Sequence, residues 1–410
     1  MQSGVILKRQ IKPLPYRAYF CAVLFLVITG WIASLYLAHS HYKNYADLQY
    51  QSFCAISNAI NCDTVSQSPY SIIFIPIPIW GVIGYTLLML LMPCAWGKEF
   101  RDGRMWSLFL WIALTFTCIS ISLAIVSTYL IGSYCILCIV TYLVNLFLLC
   151  YGWLIRRRFA TQGLIQDTCE DFRFIWQRRR RFLPILSAFI AVVIVLIALL
   201  PPYWHMKPPR LSRNIPSGLT DEGHPWMGAT NPATEISLFS DYQCFQCKKM
   251  HVYLREIIAQ NPQKIRLIHR HYPMDHEFNF IVKAPFHVGS GKMALLAIYA
   301  ASKGKFWEMN DLLFEIAGRQ KQIDLKWVAE KTGLETAELL RALRDPVIRN
   351  MLSRDVWQGM KLRIYGTPTF VIDGKVYSGN IPSDILNKYL GQTVRIYPVS
   401  RCLKQSEKIG

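Results

Sequence analysis

Six cysteines in three spaced pairs are the residues of this chain best suited to chemistry: Cys54 with Cys62, Cys135 with Cys138, and Cys244 with Cys247. The first pair is C-x₇-C and the others are C-x-x-C. Such dithiols hand on an electron pair when a thiolate attacks a disulfide sulfur and passes through a mixed disulfide. Three on one polypeptide suit a relay. Cys54 and Cys62 can bond only if the intervening residues fold back and bring their Cα atoms within about 4.4–6.8 Å. That loop reads equally as a shuttle or as a structural staple. Cys135 and Cys138, at i and i+3, share one face of a helix's first turn, a spacing that favours redox work over packing. A metal would want four ligands, and no His or further C-x-x-C lies on the neighbouring apolar segments, so no metal is expected.

Two kinds of sequence must position these pairs. The chain has 410 residues, 52% of them hydrophobic, which suits two or three domains and a membrane-embedded part. Five apolar runs reach the roughly 20 residues a bilayer requires: 18–38, 72–92, 106–131, 134–155 and 182–202. The first is longer than a secretory signal's apolar region and lacks a small-residue cleavage site, so it is expected to stay as a span. Basic residues crowd alternate connections. They are Lys8, Arg9, Lys12 and Arg17, then Lys98, Arg101 and Arg104, then Arg156, Arg157, Arg158, Arg173, Arg178, Arg179, Arg180 and Arg181. Lys43 stands alone in the 39–71 loop. This asymmetry places the N terminus in the cytoplasm and, after five spans, everything past 203 on the far side. All three pairs then share the oxidising face, expected to be the periplasmic side of a bacterial inner membrane.

The net charge of +19 invites a nucleic-acid reading, but arginine clusters beside spans hold orientation against the lipid bilayer, and no nucleic-acid partner is expected. Cys21, Cys94, Cys118 and Cys150, in or beside spans, and Cys169, in a cytoplasmic loop, read as small apolar side chains or reduced thiols. Cys402, in the outer tail, gains no role. His251, His269, His271, His276 and His287 form no metal spacing and read as surface or packing residues.

Cys54-x₇-Cys62, Ser68, the run Trp80-Gly81-Val82-Ile83-Gly84-Tyr85, and Cys135-Ile136-Leu137-Cys138-Ile139-Val140-Thr141-Tyr142 together resemble the vitamin K epoxide reductase family over roughly residues 15–155. The resemblance implies a four-helix bundle around a quinone (ubiquinone or menaquinone). It implies that Cys62 attacks Cys135, that Cys138 faces the quinone, and that Tyr142, with Ser68 and Trp80, contacts it. The asparagine that animal members place before the second-span glycine is absent, since Ile77-Pro78-Ile79-Trp80 stands there. Quinone reduction, rather than epoxide reduction, is therefore the expectation.

The rest of the chain is of another kind. Residues 203–232, rich in Pro, Gly and Ser, read as a linker. Residues 235–240 have strand character and run into Asp241-Tyr242-Gln243-Cys244-Phe245-Gln246-Cys247, after which Met250, Leu254, Ile257 and Ile258 fall at helical spacing. A C-x-x-C between strand and helix is a thioredoxin-type redox signature. The helix N-terminus acidifies the first thiol, so Cys244 attacks and Cys247 resolves. Residues 264–272 read as the next strand and 292–350 as helical; Gly366-Thr367-Pro368 then precedes a strand and hairpin. With the C-x-x-C upstream, roughly 233–395 resembles a DsbA-like thioredoxin with a helical insertion. That resemblance implies a cis-proline loop in which Thr367 and Pro368 meet an extended substrate. Phe245-Gln246 departs from the Pro-His of the strongly oxidising DsbA enzymes, leaving the direction of electron flow open.

The expected fold is thus multidomain, an α-helical membrane bundle followed by an α/β thioredoxin-like domain. Its divisions are a tail at 1–17, a four-helix core at 18–155, a basic loop at 156–181, a fifth span at 182–202, the linker, the thioredoxin domain at 233–395, and a tail at 396–410. The expected activity is disulfide formation in reduced exported proteins, with electrons passing from Cys244/Cys247 to Cys54/Cys62, then Cys135/Cys138, then a membrane quinone. The alternatives are an envelope disulfide isomerase or reductase, and a membrane-tethered chaperone-like binding module.

Overall fold

The computed structural model describes residues 14–47, 50–56, 60–96, 105–160, 162–206, 215–317 and 323–390. Lys8, Arg9, Lys12, Lys98, Arg101, Arg104 and Cys402 lie outside the described residues. The chain divides into two compact units, Met1–His41 with Gln51–Pro201, and Tyr42–Tyr50 with Pro202–Gly410.

The first unit contains helix α1 (Tyr16–Ala46) as far as His41, the short helix α2 (Cys62–Gln67), a 3₁₀ turn at Pro69–Ser71, and the two-residue strands β1 (Ile72–Ile73) and β2 (Ile75–Pro76). Helices α3 (Ile77–Ala95), α4 (Trp106–Val126), α5 (Ile136–Phe159), α6 (Leu164–Gln177) and α7 (Arg179–Leu199) follow. A wider-wound turn at Ser127–Ile131 prolongs α4 and stops at Gly132, whose φ of +71° suits glycine. The helices α1, α3, α4 with its extension, α5 and α7 are long and apolar enough to cross a bilayer.

Helix α1 runs well past the expected run at 18–38. His41, Asn44 and Tyr45 near its end are buried, so protein contacts sustain the helix where hydropathy has already fallen.

Val23 and Val27 of α1, Leu88 of α3, Ala113 of α4 and Leu148 of α5 meet in one core. Small residues let the helices approach closely. A Cβ on Gly30 would stand 2.3 Å from the Tyr85 ring. The Tyr85 hydroxyl donates to Asn145 Oδ1 (2.6 Å), and Asn145 Nδ2 donates to Ser120 Oγ (2.9 Å), linking α3, α4 and α5. Asp171 of α6 accepts from the Met105 and Ser107 amides (3.0 and 3.2 Å), satisfying the start of α4. Arg156 pairs with Asp167 at 2.6 Å. Helix α7 buries none of its residues.

The second unit is a six-stranded sheet with helices. Its strands are β3 (Ser217–Leu219), β4 (Pro225–Gly228), β5 (Thr234–Ser240), β6 (Ile265–His271), β7 (Thr369–Ile372) and β8 (Lys375–Ser378), in the order β3-β4-β6-β5-β7-β8. Only β5 and β6 run parallel. Helix α8 (Phe245–Gln260) makes the crossover a parallel pair requires. Helices α9 (Ser290–Ser302), α10 (Phe306–Ile316), α11 (Leu325–Thr332), α12 (Thr336–Ala342) and α13 (Pro346–Lys361) lie between β6 and β7, and α14 (Ser383–Leu390) ends the unit. Ile236, Leu238, Met250, Leu254, Leu267 and Phe370 are among the residues of its main core.

Gly228 closes β4 at φ +108°, and a Cβ there would lie 2.1 Å from the Ile265 carbonyl oxygen. Backbone cannot give way as a side-chain tip can. Gly228→Ala is therefore expected to destabilise this unit by about 2–4 kcal/mol, seen as a lowered thermal midpoint of its unfolding transition.

Candidate redox centres

In the first unit the C-x₇-C segment is a closed loop. Cys54 and Cys62 are joined by a disulfide, with Cα atoms 5.6 Å apart. The chain doubles back through a bridge between Ala55 and Asn61, and the Ile56 amide donates to the Ile60 carbonyl at 3.0 Å. Asn61 then caps α2, its Oδ1 accepting from the amides of Asp63 (2.9 Å) and Thr64 (3.1 Å). Asp63 in turn accepts the Ser52 amide at 2.9 Å, tying both limbs of the loop together.

The same loop is stitched to the start of α5. Ile60 bridges Tyr134, and the Asn61 amide donates to the Tyr134 carbonyl at 2.9 Å. The next residue is Cys135, which caps α5 and accepts the Cys138 amide on its Sγ at 3.3 Å. Cys54, Cys62 and Cys135 are all buried in one small apolar cluster, with Leu37, Val65 and Cys138 against it. The Cys54–Cys62 disulfide and Cys135, far apart in sequence, thus share one buried site.

Cys138, one turn into the helix, lines a cavity of about 190 Å³ with Ser68, Trp80, Tyr142 and Asn145. The side chains of two expected contacts are engaged locally. Ser68 Oγ donates to the Val65 carbonyl (3.0 Å) and Trp80 Nε1 to the Ile73 carbonyl (3.0 Å). Asn145 was not anticipated. It is buried on α5, one turn past Tyr142, and its place in the cavity wall depends on the packing of α3 and α4.

In the second unit β5 delivers the other C-x-x-C. Cys244 caps α8, and its Sγ accepts the Cys247 amide at 3.3 Å. Its thiol donates to the Thr367 carbonyl at 3.3 Å. The Thr367–Pro368 peptide is cis. The two thiols differ sharply. The hydrogen bond from Cys247 and the nearby His287 charge outweigh burial and lower Cys244 to about 7. Cys247 is fully buried, and burial together with its partner's sulfur pushes it well above its ordinary value. Near neutral pH this makes Cys244 the available thiolate, while Cys247 holds its proton until a mixed disulfide forms.

Residues beside the motif fix the loop. Asp241 is buried, its amide donates to Cys247 Sγ (3.5 Å), and its carboxylate accepts the Gln243 amide (2.6 Å) and Ser290 Oγ (3.0 Å). Residues 42–50 belong to this unit. Lys249 Nζ donates to the carbonyls of Asn44 and Asp47, both at 2.8 Å, and the Tyr45 ring stands edge-on to Phe245 at 4.9 Å.

The histidines divide. His269 and His271 are buried on β6, and burial takes His271 down to about 4, so both are neutral packing groups. His287 departs from the expected packing role, because its Nδ1 lies 3.1 Å from Asp241 Oδ2. A carboxylate three residues before the C-x-x-C was visible in the sequence; its histidine partner, on a distant loop, was not.

Comparison with known proteins gives two family matches. Residues 21–153 match the vitamin K epoxide reductase family, and residues 235–391 match the DSBA-like thioredoxin domain. Among curated relatives, the Na(+)/H(+) antiporter NhaA 3 of Salinispora tropica is 27% identical over 148 residues, 36% of this chain and 21% of that protein. The chain thus spans about a fifth of that relative's length. A solved thioredoxin-like oxidoreductase from Silicibacter pomeroyi is 22% identical, covering 42% of this chain and 92% of its own, with a TM-score of 0.35. BdbD from Bacillus subtilis is 17% identical, covering 48% of this chain and 98% of its own, with a TM-score of 0.32. The motifs, the two folded units and the family matches agree: this chain joins a domain of the vitamin K epoxide reductase family to a DSBA-like thioredoxin domain.

Proposed function

We propose that this protein is a membrane thiol–disulfide oxidoreductase that forms disulfides in exported proteins and delivers the electrons to a quinone. One observation carries the reading. The Cys54–Cys62 disulfide and Cys135 are buried together, and Cys62, Cys135 and Cys138 all border one cavity.

A reduced client protein attacks the oxidised Cys244–Cys247 pair at Cys244, with Thr367 and Pro368 receiving its extended backbone. The client's second thiolate then attacks the client sulfur of that mixed disulfide and displaces Cys244, leaving the client oxidised and both cysteines reduced. The electron pair passes to Cys54–Cys62 when the Cys244 thiolate attacks Cys54 and displaces Cys62, after which Cys247 attacks Cys244, releases Cys54 and re-forms the Cys244–Cys247 disulfide. Cys62 then attacks Cys135 of a Cys135–Cys138 disulfide and displaces the Cys138 thiolate toward the cavity, and Cys54 attacks Cys62, releases Cys135 and re-forms the Cys54–Cys62 disulfide. A quinone bound there supplies the two-electron acceptor. The lining suits one: Phe116 and Leu123 offer apolar wall, and Tyr142 brings a hydroxyl toward a carbonyl acceptor. With Trp80 and Ser68 engaged by backbone carbonyls, Tyr142 is the donor of choice.

In this reading 18–155 is the membrane core, 182–202 the fifth span and 233–395 the thioredoxin domain. The N terminus is cytoplasmic and the thioredoxin domain periplasmic, in a bacterial inner membrane.

The test follows quinone absorbance with the purified chain in detergent, a reduced dithiol protein, and ubiquinone or menaquinone. The expected result is one quinone consumed per disulfide formed. Dithiol exchange without quinone consumption would point to a reductase or isomerase. Tyr142→Phe is expected to raise the quinone KM about fivefold with little change in kcat, the loss of one hydrogen bond of about 1 kcal/mol.

A further inference from the structure

We propose that His287 is a positioning residue of the second redox centre: its imidazolium, paired with the buried Asp241 carboxylate, supplies the positive charge against which Cys244 ionises. The proposal rests on the reading of Cys244 as the attacking thiol.

Asp241 is 1% exposed and sits against both cysteines. Its carbonyl accepts the Cys244 amide at 3.2 Å, and its amide reaches Cys247 Sγ at 3.5 Å. The carboxylate also takes the Met274 amide at 2.5 Å, so it clamps the motif to the loop after β6 and to the start of α9. A buried anion beside two thiols opposes their ionisation, and Asp241 pushes both cysteines upward. Phe245 and Gln246, between the cysteines, carry no charge. The compensating cation comes from elsewhere in the fold.

His287 occupies that place. Its Nδ1 is 3.1 Å from Asp241 Oδ2. The groups facing it are Asp241, Cys244 and Asp275, and His276 lies 3.5 Å from Asp275. Burial works against the imidazolium, but the two carboxylates and Cys244 outweigh it and raise His287 above its ordinary value.

The loop is built to hold this ring. His287 has φ +43°, a region uncommon for residues other than glycine. Its neighbours over-determine it. Gln243 Nε2 donates to the Val288 carbonyl at 2.7 Å, and Asp275 Oδ2 accepts the Gly289 amide at 2.8 Å. The Phe286 ring stacks on the imidazole at 4.1 Å. Gln243 belongs to the motif loop, so the histidine's own loop is tied to the loop that carries the cysteines. Through the step His287 keeps its proton, and the Cys244 proton leaves to water.

The experiment measures Cys244 alkylation by iodoacetamide against pH in the reduced, full-length protein in detergent, with the labelled sulfur localised by fragment masses. Wild type is expected to show a midpoint near about 7. In His287→Gln the midpoint is expected to rise by about one pH unit, a tenfold loss of thiolate below it. His287→Lys, which keeps a cation, is expected to restore most of the difference. Asp241→Asn/His287→Gln, which removes both charges, is expected to return toward wild type. A merely structural histidine would leave that double variant at least as displaced as the single one. An unchanged midpoint in His287→Gln, or a double variant displaced as far as the single, overturns the proposal. Faster labelling of Cys247 than Cys244 in wild type overturns the assignment of Cys244 itself, and is told apart by the labelled atom.

Discussion

Cys244→Ala is expected to reduce oxidation of a dithiol protein by about a thousandfold or more, roughly 4 kcal/mol of barrier. The expectation follows from how unequal the pair is. Cys244 is partly accessible, caps a helix, and is acidified to about 7. Cys247 is buried and held protonated, so it neither reaches a client nor ionises to take over. Among the described residues of the second unit no other cysteine stands in reserve. The loss is expected to be non-additive, with Cys244→Ala/Cys247→Ala no worse than the single variant, because the two sulfurs work as one centre. The measurement is the initial rate of client thiol loss with quinone present. A Cys244→Ala chain that oxidised its client within tenfold of wild type would favour a binding or chaperone role for this domain.

Cys138→Ala is expected to bring quinone consumption down to the uncatalysed background, a loss of at least about a thousandfold, while Cys244 still exchanges with clients. Cys138 lines the cavity one turn into α5, together with Cys135 and Cys62, which are also buried in the Cys54–Cys62 cluster. Without Cys138 there is no second disulfide for Cys62 to attack, and electron pairs accumulate at Cys54–Cys62 and Cys244–Cys247. The matching observation is that two equivalents of client reduce both Cys54–Cys62 and Cys244–Cys247, and that both pairs stay reduced with quinone in excess. Continued quinone consumption would place the acceptor site at another cysteine.

The local parts of both centres were legible in the sequence because they depend on short-range periodicity. Cysteines at i and i+3 fall on one helix turn whatever surrounds them, and both C-x-x-C pairs indeed open a helix with the first sulfur accepting the second residue's amide. Apolar length alone picked out the segments that form the five long apolar helices. Hydropathy did less well at the end of α1. Asn44 and Tyr45 are polar or amphipathic yet buried against protein, and a lipid-based scale reads such burial as an exit from the helix.

The chemistry of each centre required tertiary structure. Nothing in the spacing of Cys54 and Cys62 says that their loop is sewn to Tyr134, and so to Cys135, by a bridge and a backbone hydrogen bond. Nor does spacing place the Thr367 carbonyl at Cys244 across 123 residues, or His287 against Asp241. The sequence by itself determined which cysteines stand at close spacing and that both C-x-x-C motifs open helices, since those are properties of a few consecutive residues. Only the folded chain decided which pairs share a buried site and which charges stand beside the acidic thiol. Burial and electrostatic energies depend on distances through space, and residues far apart in the chain set those distances.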